Sequence, residues 1–470
     1  MSTLGQFAGR RILLLNWRDL SNPQAGGAEE YAEQIARRFA SAGALLTLFT
    51  SQYEGAPPYD WAREYLVVRE GGRFGVYLAA ARHLERYGRR YDAVIDCQNG
   101  IPFFAPLWAP ASQAVLCVVH HVHQKQFDMY FRWPVNHVGR VLEGRVSRGV
   151  YRHGPFIAVS PSTRAEMRRQ LGFRAPIHIV PNGIDALQPG RLPRSPAPTV
   201  AVVTRLVPHK RLHLLVDAVP ALLSRWPDLH VDIAGTGPAR AGLEEQVLRL
   251  GLGKTVSLPG RVPEQTKSDL LGQAWLTVAP SLAEGWGLTV LEANALGTPA
   301  LAYDVPGLRD SVRDGLTGWL VPSGQDLTAA LIKALDELAD PARQRSYADQ
   351  SRRWAQRFSW DASAERLARV LLAEVRRRRR GSPSRRHAVD LSTVASWPAE
   401  AAGAINGYLD KTLRLTDALG SDEGGVRALL NGCDEVGADR ALRRAPVPPA
   451  SLHLATTTQV LCGAGEDGLG

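Results

Sequence analysis

RILLLNWRDLSNPQAGGAEEYAEQIARRFASAGALLTLFT, residues 11–50, changes its hydrophobic period twice. Ile12–Leu15 is a short unbroken apolar run, as in a strand buried on both faces. A loop with Asn22, Pro23, Gly26 and Gly27 follows. Tyr31, Ile35 and Phe39 then recur one turn apart, which predicts a helix with Gly43 as its stop. ALLTLFT (44–50) reads as a strand again. Strand, helix and strand of this length mean a parallel pair joined by a crossover helix.

The same unit continues outward. YDAVIDC (91–97), AVLCVV (114–119), PFIAVS (155–160) and IHIV (177–180) supply further strands of a first domain, residues 1–185. Prolines and glycine replace periodicity in the linker 186–198. A second series starts at TVAVVT (199–204) and adds LHVDIAG (229–235), TVSLPG (255–260), WLTVAP (275–280) and ALAYD (300–304). The helical stretch WDASAERLARVLLAEV closes it, giving a second domain over 199–375. The expected fold class is α/β: two doubly wound Rossmann-like domains facing a cleft, with ligands at the carboxyl ends of the strands. Residues 376–470 open with RRRRR and contain one candidate helix around 398–418. The rest of that segment reads as a poorly structured tail.

Length and composition agree with two domains: 470 residues, 45% hydrophobic, 22% charged. Cys97, Cys117, Cys433 and Cys462 form no C-x-x-C pair, against a disulfide framework or zinc site and in favour of a reducing compartment. No apolar run suits a signal peptide or a membrane span, so a cytoplasmic protein is expected. The net charge is +10. From His387 onward there are 6 Lys+Arg and 11 Asp+Glu, a net of −5, which leaves +15 on residues 1–386. A basic body suits anionic partners. With RRRRR and the aromatic segments IPFFAPLW (101–108) and QFDMYFRWP (126–134), it motivates weak peripheral contact with an anionic membrane.

Candidate site residues fall where such folds bind ligands. Gly26 and Gly27 lie between the first strand and helix, where backbone amides can approach an anion. The spacing is not G-x-G-x-x-G and no acidic residue ends the second strand, which disfavours a dinucleotide. His120 directly follows AVLCVV; His121 and His123 are neighbours on one loop and do not suit a shared metal. Arg205 and Lys210, in TRLVPHKR, can grip a diphosphate from two sides. In EGWGLTVLE (284–292) a helix is expected to begin near Leu288 and stop at Gly297, with its first amides over the glycines as an anion site. Glu284 precedes that helix and Glu292 lies a turn inside it. One carboxylate can meet the sugar end of a ligand, the other its nucleoside end.

Taken together, GGAE (26–29), VVHH (118–121), VSPSTR (159–164), VPNGID (180–185), TRLVPHK (204–210), AGTGP (234–238) and the E-x7-E of EGWGLTVLE resemble a family 4, group 1 retaining glycosyltransferase of the GT-B fold over residues 10 to 375. The resemblance implies that Gly27 gives its amide to the donor phosphate and that His120 contacts the donor sugar. It implies that Arg205 and Lys210 neutralise the departing diphosphate. Glu284, with Gly285, Trp286, Gly287, Leu288 and Thr289, would hold sugar and phosphate; Glu292 would bind ribose; Arg261 and Val262 would line the base. Three positions depart from the family pattern: Thr204 for glycine, Trp286 for phenylalanine, His121 for aspartate.

The implied reaction is retaining transfer of a sugar from a nucleotide-sugar donor to a lipid-linked, polysaccharide or small-molecule acceptor in bacterial cell-envelope synthesis. GDP-mannose is the donor suggested by similar-looking mannosyltransferases. No D-x-D occurs in the chain, so neither metal nor other cofactor is expected. The competing readings are a nucleotide-sugar epimerase of the same fold and a non-catalytic basic protein binding nucleic acid or membrane. The scattered basic residues include no nucleic-acid recognition module.

Overall fold

The computed structural model describes residues 2–61, 64–185, 191–379, 391–413, 417–422, 424–430, 433 and 435–456. They fall into two compact units, residues 181–363 and residues 1–180 with 364–470.

In the first unit β1 (Arg11–Leu15), β2 (Leu45–Thr50), β3 (Tyr59–Asp60), β4 (Leu66–Arg69), β5 (Ala93–Gln98), β6 (Ala114–Val119), β7 (Phe156–Ala158) and β8 (Ile177–Ile179) form one sheet. Its order is β3-β4-β2-β1-β5-β6-β7-β8. β1 pairs with both β2 and β5 in parallel, so the reversal of strand order lies beside it. Only the pairing of β3 with β4 is antiparallel in this sheet. The helix Gly27–Ser41 buries Tyr31, Ile35 and Phe39 completely, the face that its periodicity marks. β3 and β4 were not legible, being two and four residues long.

The second unit carries β9 (Thr199–Val203), β10 (His230–Ala234), β11 (Val256–Gly260), β12 (Thr277–Ala279), β13 (Ala300–Tyr303) and β14 (Gly318–Val321). They pair in parallel as β11-β10-β9 and β12-β13-β14, and a parallel bridge between Val200 and Leu276 links the two sets. The carboxyl ends of β9, β10, β11 and β12 lead into the TRLVPHK, AGTGP, RV and EGWG loops.

The sequence places 360–375 wholly in the second domain. The helix there, Trp360–Arg379, crosses the boundary, and from Ala364 it belongs with the first unit. Hydrophobic period marks the buried face of a helix without saying which core receives it. Polar partners settle that point: Glu365 accepts from the amides of Thr3 and Leu4 at 2.6 and 3.1 Å. RRRRR is put to the same use. Arg376 donates to Gln6, Arg377 to the His153 carbonyl and Arg378 to the Ala111 carbonyl, while buried Glu374 accepts from Arg377 and Arg378. Arg380 lies outside the described residues.

The segment after Arg386, to which the sequence assigns no fold, contains an antiparallel sheet of β15 (Leu391–Trp397), β16 (Ala418–Asp422), β17 (Gly425–Leu430) and β18 (Ser451–Thr456) in the order β16-β17-β15-β18. With the helices Ala402–Thr412 and Glu435–Ala441 its chain order is βαββαβ, the split ferredoxin-like arrangement. Ala395, Trp397, Ile405, Leu409, Val426 and Ala428 form its core. The expected helix 398–418 is thus real but shorter.

Candidate active site

EGWGLTVLE is built around the start of a helix. The helix runs Leu288–Ala295, with Gly287 as N-cap at φ 91° and Gly297 just past its end at φ 85°. A Cβ on Gly287 would stand 2.9 Å from Leu308, so both backbone angle and space require glycine. Gly287 offers no side chain to cap the helix. The amides of Leu288 and Thr289 belong to the first turn, which has no intrahelical acceptor for them. Gly285 leads into Trp286, which is buried and meets Phe358 edge-on at 5.1 Å.

Glu284 does not stand alone beside that helix start. Its Oε1 pairs with Lys210 Nζ and also accepts from Ser281 Oγ at 3.1 Å. Burial pushes the Glu284 carboxyl up, but the charge and hydrogen bond of Lys210, with His209 and Ser281, carry it below the usual carboxylate range. The two loops are stitched by their backbones as well. The Leu282 amide donates to the His209 carbonyl at 2.9 Å, and Arg211 Nε donates to Pro280 O at 2.9 Å. Arg205 is exposed on the same loop, one residue beyond Thr204, whose amide donates to Ala234 O. Gly235, in AGTGP, lies so close that a Cβ there would strike the Thr204 carbonyl oxygen.

Glu292 sits a turn inside the helix, where Lys267 Nζ meets its Oε1 at 3.0 Å. Lys267 also pairs with Glu264 at 2.6 Å. Burial lowers the Lys267 ammonium, yet Glu292 and Glu264 together raise it above its ordinary value. Arg261, exposed, and Val262, half-buried, follow β11 immediately. The second unit thus brings Lys210, Glu284 and the helix start together. Lys267, His209, Ser281 and Arg211 are additions that the sequence did not single out.

In the first unit, His120 directly follows β6 and is nearly buried, with its Nε2 enclosed and unpartnered among the described residues. Burial, and then His123, lower it to about 3. Tyr31 meets the imidazole edge-on at 5.0 Å, which ties the His120 loop to the helix that starts at Gly27. Thr163 of VSPSTR donates to the His120 carbonyl at 3.4 Å, and Ser160 caps that segment's helix by accepting from the Thr163 amide. His121 and His123 stack at 3.6 Å, and the His123 amide donates to buried Glu143 at 2.6 Å. Gly26 differs from expectation: its amide donates to Glu29 Oε2 at 2.7 Å, and Glu29 also receives Arg18. A carboxylate of the chain's own helix therefore takes the place foreseen for an anion at Gly26. The signal was present as the Glu29 of GGAE, a residue three positions into the helix that can reach back to its cap. Among the described residues no group of His, Cys, Asp or Glu is arranged to hold a metal ion. Nor is any helix long and apolar enough to cross a membrane.

Residues 25–187 match the family model described as Glycosyltransferase Family 4, and residues 185–354 match Glycosyl transferases group 1. The chain is 27% identical over 375 residues to a GDP-mannose-dependent alpha-(1-6)-phosphatidylinositol monomannoside mannosyltransferase of Mycolicibacterium smegmatis, covering 74% of this chain and 95% of that one. It is 37% identical over 186 residues to a D-inositol 3-phosphate glycosyltransferase of Streptomyces coelicolor, covering 37% and 40%. Among solved structures it is similar to sucrose-phosphate synthase from Thermosynechococcus elongatus, with a TM-score of 0.67, 22% identity and coverage of 79% and 100%. It is also similar to WaaG, a glycosyltransferase involved in lipopolysaccharide biosynthesis, with a TM-score of 0.60, 16% identity and coverage of 77% and 99%.

Proposed function

Because the chain belongs to the family 4, group 1 glycosyltransferases and acts with a nucleotide-sugar donor, we propose that it transfers a hexose, with retention and without a bound metal, to a lipid-linked or glycan acceptor. It works on the cytoplasmic side, peripheral to the cell membrane. GDP-mannose is the donor of choice, because the mycolicibacterial relative is by name GDP-mannose-dependent.

The observation that carries this reading is the Lys210–Glu284 pair at the open start of the helix Leu288–Ala295. Breaking the bond between the anomeric carbon and the diphosphate oxygen leaves negative charge on phosphate as an oxocarbenium-like carbon forms. Lys210, Arg205 and the first-turn amides supply positive potential at that phosphate, already oriented before the reaction. The acceptor hydroxyl then bonds to the same carbon from the same face and passes its proton to the departing phosphate. Glu284 accepts a sugar hydroxyl and is not a nucleophile. Glu292 takes the ribose hydroxyls, with Lys267 orienting its carboxylate. His120, neutral because it is buried, contacts the donor sugar, as the family resemblance implies. Gly27 offers its amide to phosphate, and Arg261 and Val262 line the base.

The test begins with a thermal-shift panel of nucleotide sugars. Transfer from the donor that stabilises the protein is then followed with and without EDTA, and the product anomer is read by NMR. A retained anomer formed equally well in EDTA is expected. Loss of activity in chelator with rescue by Mn²⁺ or Mg²⁺, or an inverted product, overturns the mechanism. Isomerised donor with no transfer overturns the reaction class.

A further inference from the structure

After the His120 loop the chain makes a helical hairpin. One arm is the helix Gln124–Tyr130; the other runs Val135–Val141 and continues through a π turn into Ser147–Val150. The arms pack closely where Gly139 faces Phe127: a Cβ at Gly139 would lie 2.6 Å from the Phe127 ring. Glu143 roots the hairpin by accepting from the His123 amide and from Gln124 Nε2, both at 2.6 Å. The tip is left apolar and open. Trp133 is 80% exposed, and Met129, Tyr130, Val135 and Val138 are between 43% and 55% exposed.

The net charge around this tip is positive. Lys125, Arg132, Arg140, Arg145 and Arg148 are exposed between residues 124 and 150. The acidic residues there are Asp128, which Arg140 meets at 3.3 Å, and Glu143, which is buried. An exposed Trp and Tyr with aliphatic neighbours and a basic surround suit the headgroup layer of an anionic bilayer, where amphipathic rings sit in the interface and cations stay at phosphate. A stable protein partner would have to cover about 800 Å² on each side, whereas a lipid surface can take up a few exposed aromatic and aliphatic side chains. The arginine run 376–379, the other basic candidate in the sequence, is engaged with Gln6, His153, Ala111, Glu374 and Asp92.

We infer that the tip of this hairpin, Met129–Val138 with Trp133 at its apex, is the surface by which the protein docks on anionic lipid. This deepens, and rests on, the reading of the enzyme as peripheral to a membrane. Trp133 and Tyr130 enter the interfacial layer, Val135 and Val138 follow, and Arg132 and Lys125 stay with the phosphates.

The test is flotation of the full chain with vesicles of phosphatidylcholine alone or with 30 mol% phosphatidylglycerol (about a third anionic, to give a surface potential), at low and high salt. The protein is expected to float with the anionic vesicles at low salt and to be released by salt. Trp133→Ser should weaken partitioning about tenfold and Arg132→Glu at least about fivefold, the loss expected for one basic residue at the surface. Trp61→Ser removes a tryptophan that is 71% exposed outside the hairpin and should leave partitioning unchanged. Circular dichroism and nucleotide-induced thermal shift keep a misfolded variant from counting. Wild-type binding that survives both hairpin substitutions, or that Trp61→Ser removes, overturns the hairpin and leaves the peripheral reading standing. Absence of wild-type binding to anionic vesicles at low salt overturns both.

Discussion

Glu284 and Glu292 are eight positions apart and have different partners, which separates their work. Glu284 is paired with Lys210; in the proposed mechanism the donor diphosphate competes for that lysine and frees the carboxylate for a sugar hydroxyl. Its bonds should tighten as charge develops on carbon and phosphate. Glu292 is held by Lys267 from another helix, and in the proposed mechanism it grips ribose equally in ground and transition states. Glu284→Gln is therefore expected to depress kcat with a smaller effect on donor affinity, while Glu292→Ala mainly raises the donor KM. Loss of a hydrogen bond to a charged group costs about 1.5–3 kcal/mol, roughly tenfold to a hundredfold, within reach of steady-state kinetics. Unchanged donor binding and turnover in both variants would remove EGWGLTVLE from the donor site. The two glutamates were legible because they bracket the glycine turn after β12, and Lys210 because it lies on the loop that follows β9. Lys267 was not, since it is 25 residues from Glu292 along the chain and is brought there only by packing.

Among the elements, the tail shows most clearly where sequence reading stops. The tail core contains Ala395, Ala401, Ala428 and Ala438, side chains too small to mark a buried face. Long-range pairing of β15 with both β17 and β18 then makes the sheet, and no local window contains that information. In the body, by contrast, most strands are followed by a helix, as β1, β10, β11 and β12 are, and a hydrophobic run suffices. The helix Trp360–Arg379 lies between these cases: its existence was legible and its allegiance was not. Thr393, Trp397 and Tyr408 donate to carbonyls of Cys433, Val447 and Ala441 within the tail itself. The proposed donor residues Arg205 through Glu292 all lie in the second unit. Truncation after Arg386 is accordingly expected to leave nucleotide affinity within about twofold, against the 1.4 kcal/mol that a tenfold loss represents. The check is isothermal titration with the nucleotide that stabilises the full chain. A truncated protein that is insoluble or has lost the nucleotide would make the tail part of the catalytic fold.

Across the whole molecule, the first unit should be the more sensitive to acid. It holds three histidines in their neutral form: burial lowers His83 to about 4, burial and then Arg164 lower His178 to about 4, and burial and then His123 lower His120 to about 3. Each has a folded pKa below its unfolded value near 6.5, so the unfolded chain binds more protons between them. The stability they contribute is present above pH 6.5 and lost as pH falls toward 4. Asp96 runs the other way. Burial raises it to about 6, only partly offset by donors at Tyr151, Phe103 and Ala105, so its protonation returns stability as pH falls from about 6 toward the usual carboxylate value. One carboxyl does not balance three imidazoles, and the net effect of acidification is a loss. Each of these histidines contributes a slope of at most about 1.4 kcal/mol per pH unit. His178 offers the direct test because its Nε2 is buried without a partner, so an apolar ring sacrifices no hydrogen bond at that atom. Hydrogen exchange of the β6, β7 and β8 amides should show protection falling from pH 6.5 to 4.5. In His178→Phe the fall should be shallower by about that one increment, while amides of β9 and β10 keep their wild-type pH dependence. An identical slope in His178→Phe would mean that this imidazole is protonated in the folded protein or neutral in neither state, and the acid sensitivity would have to come from carboxylates instead.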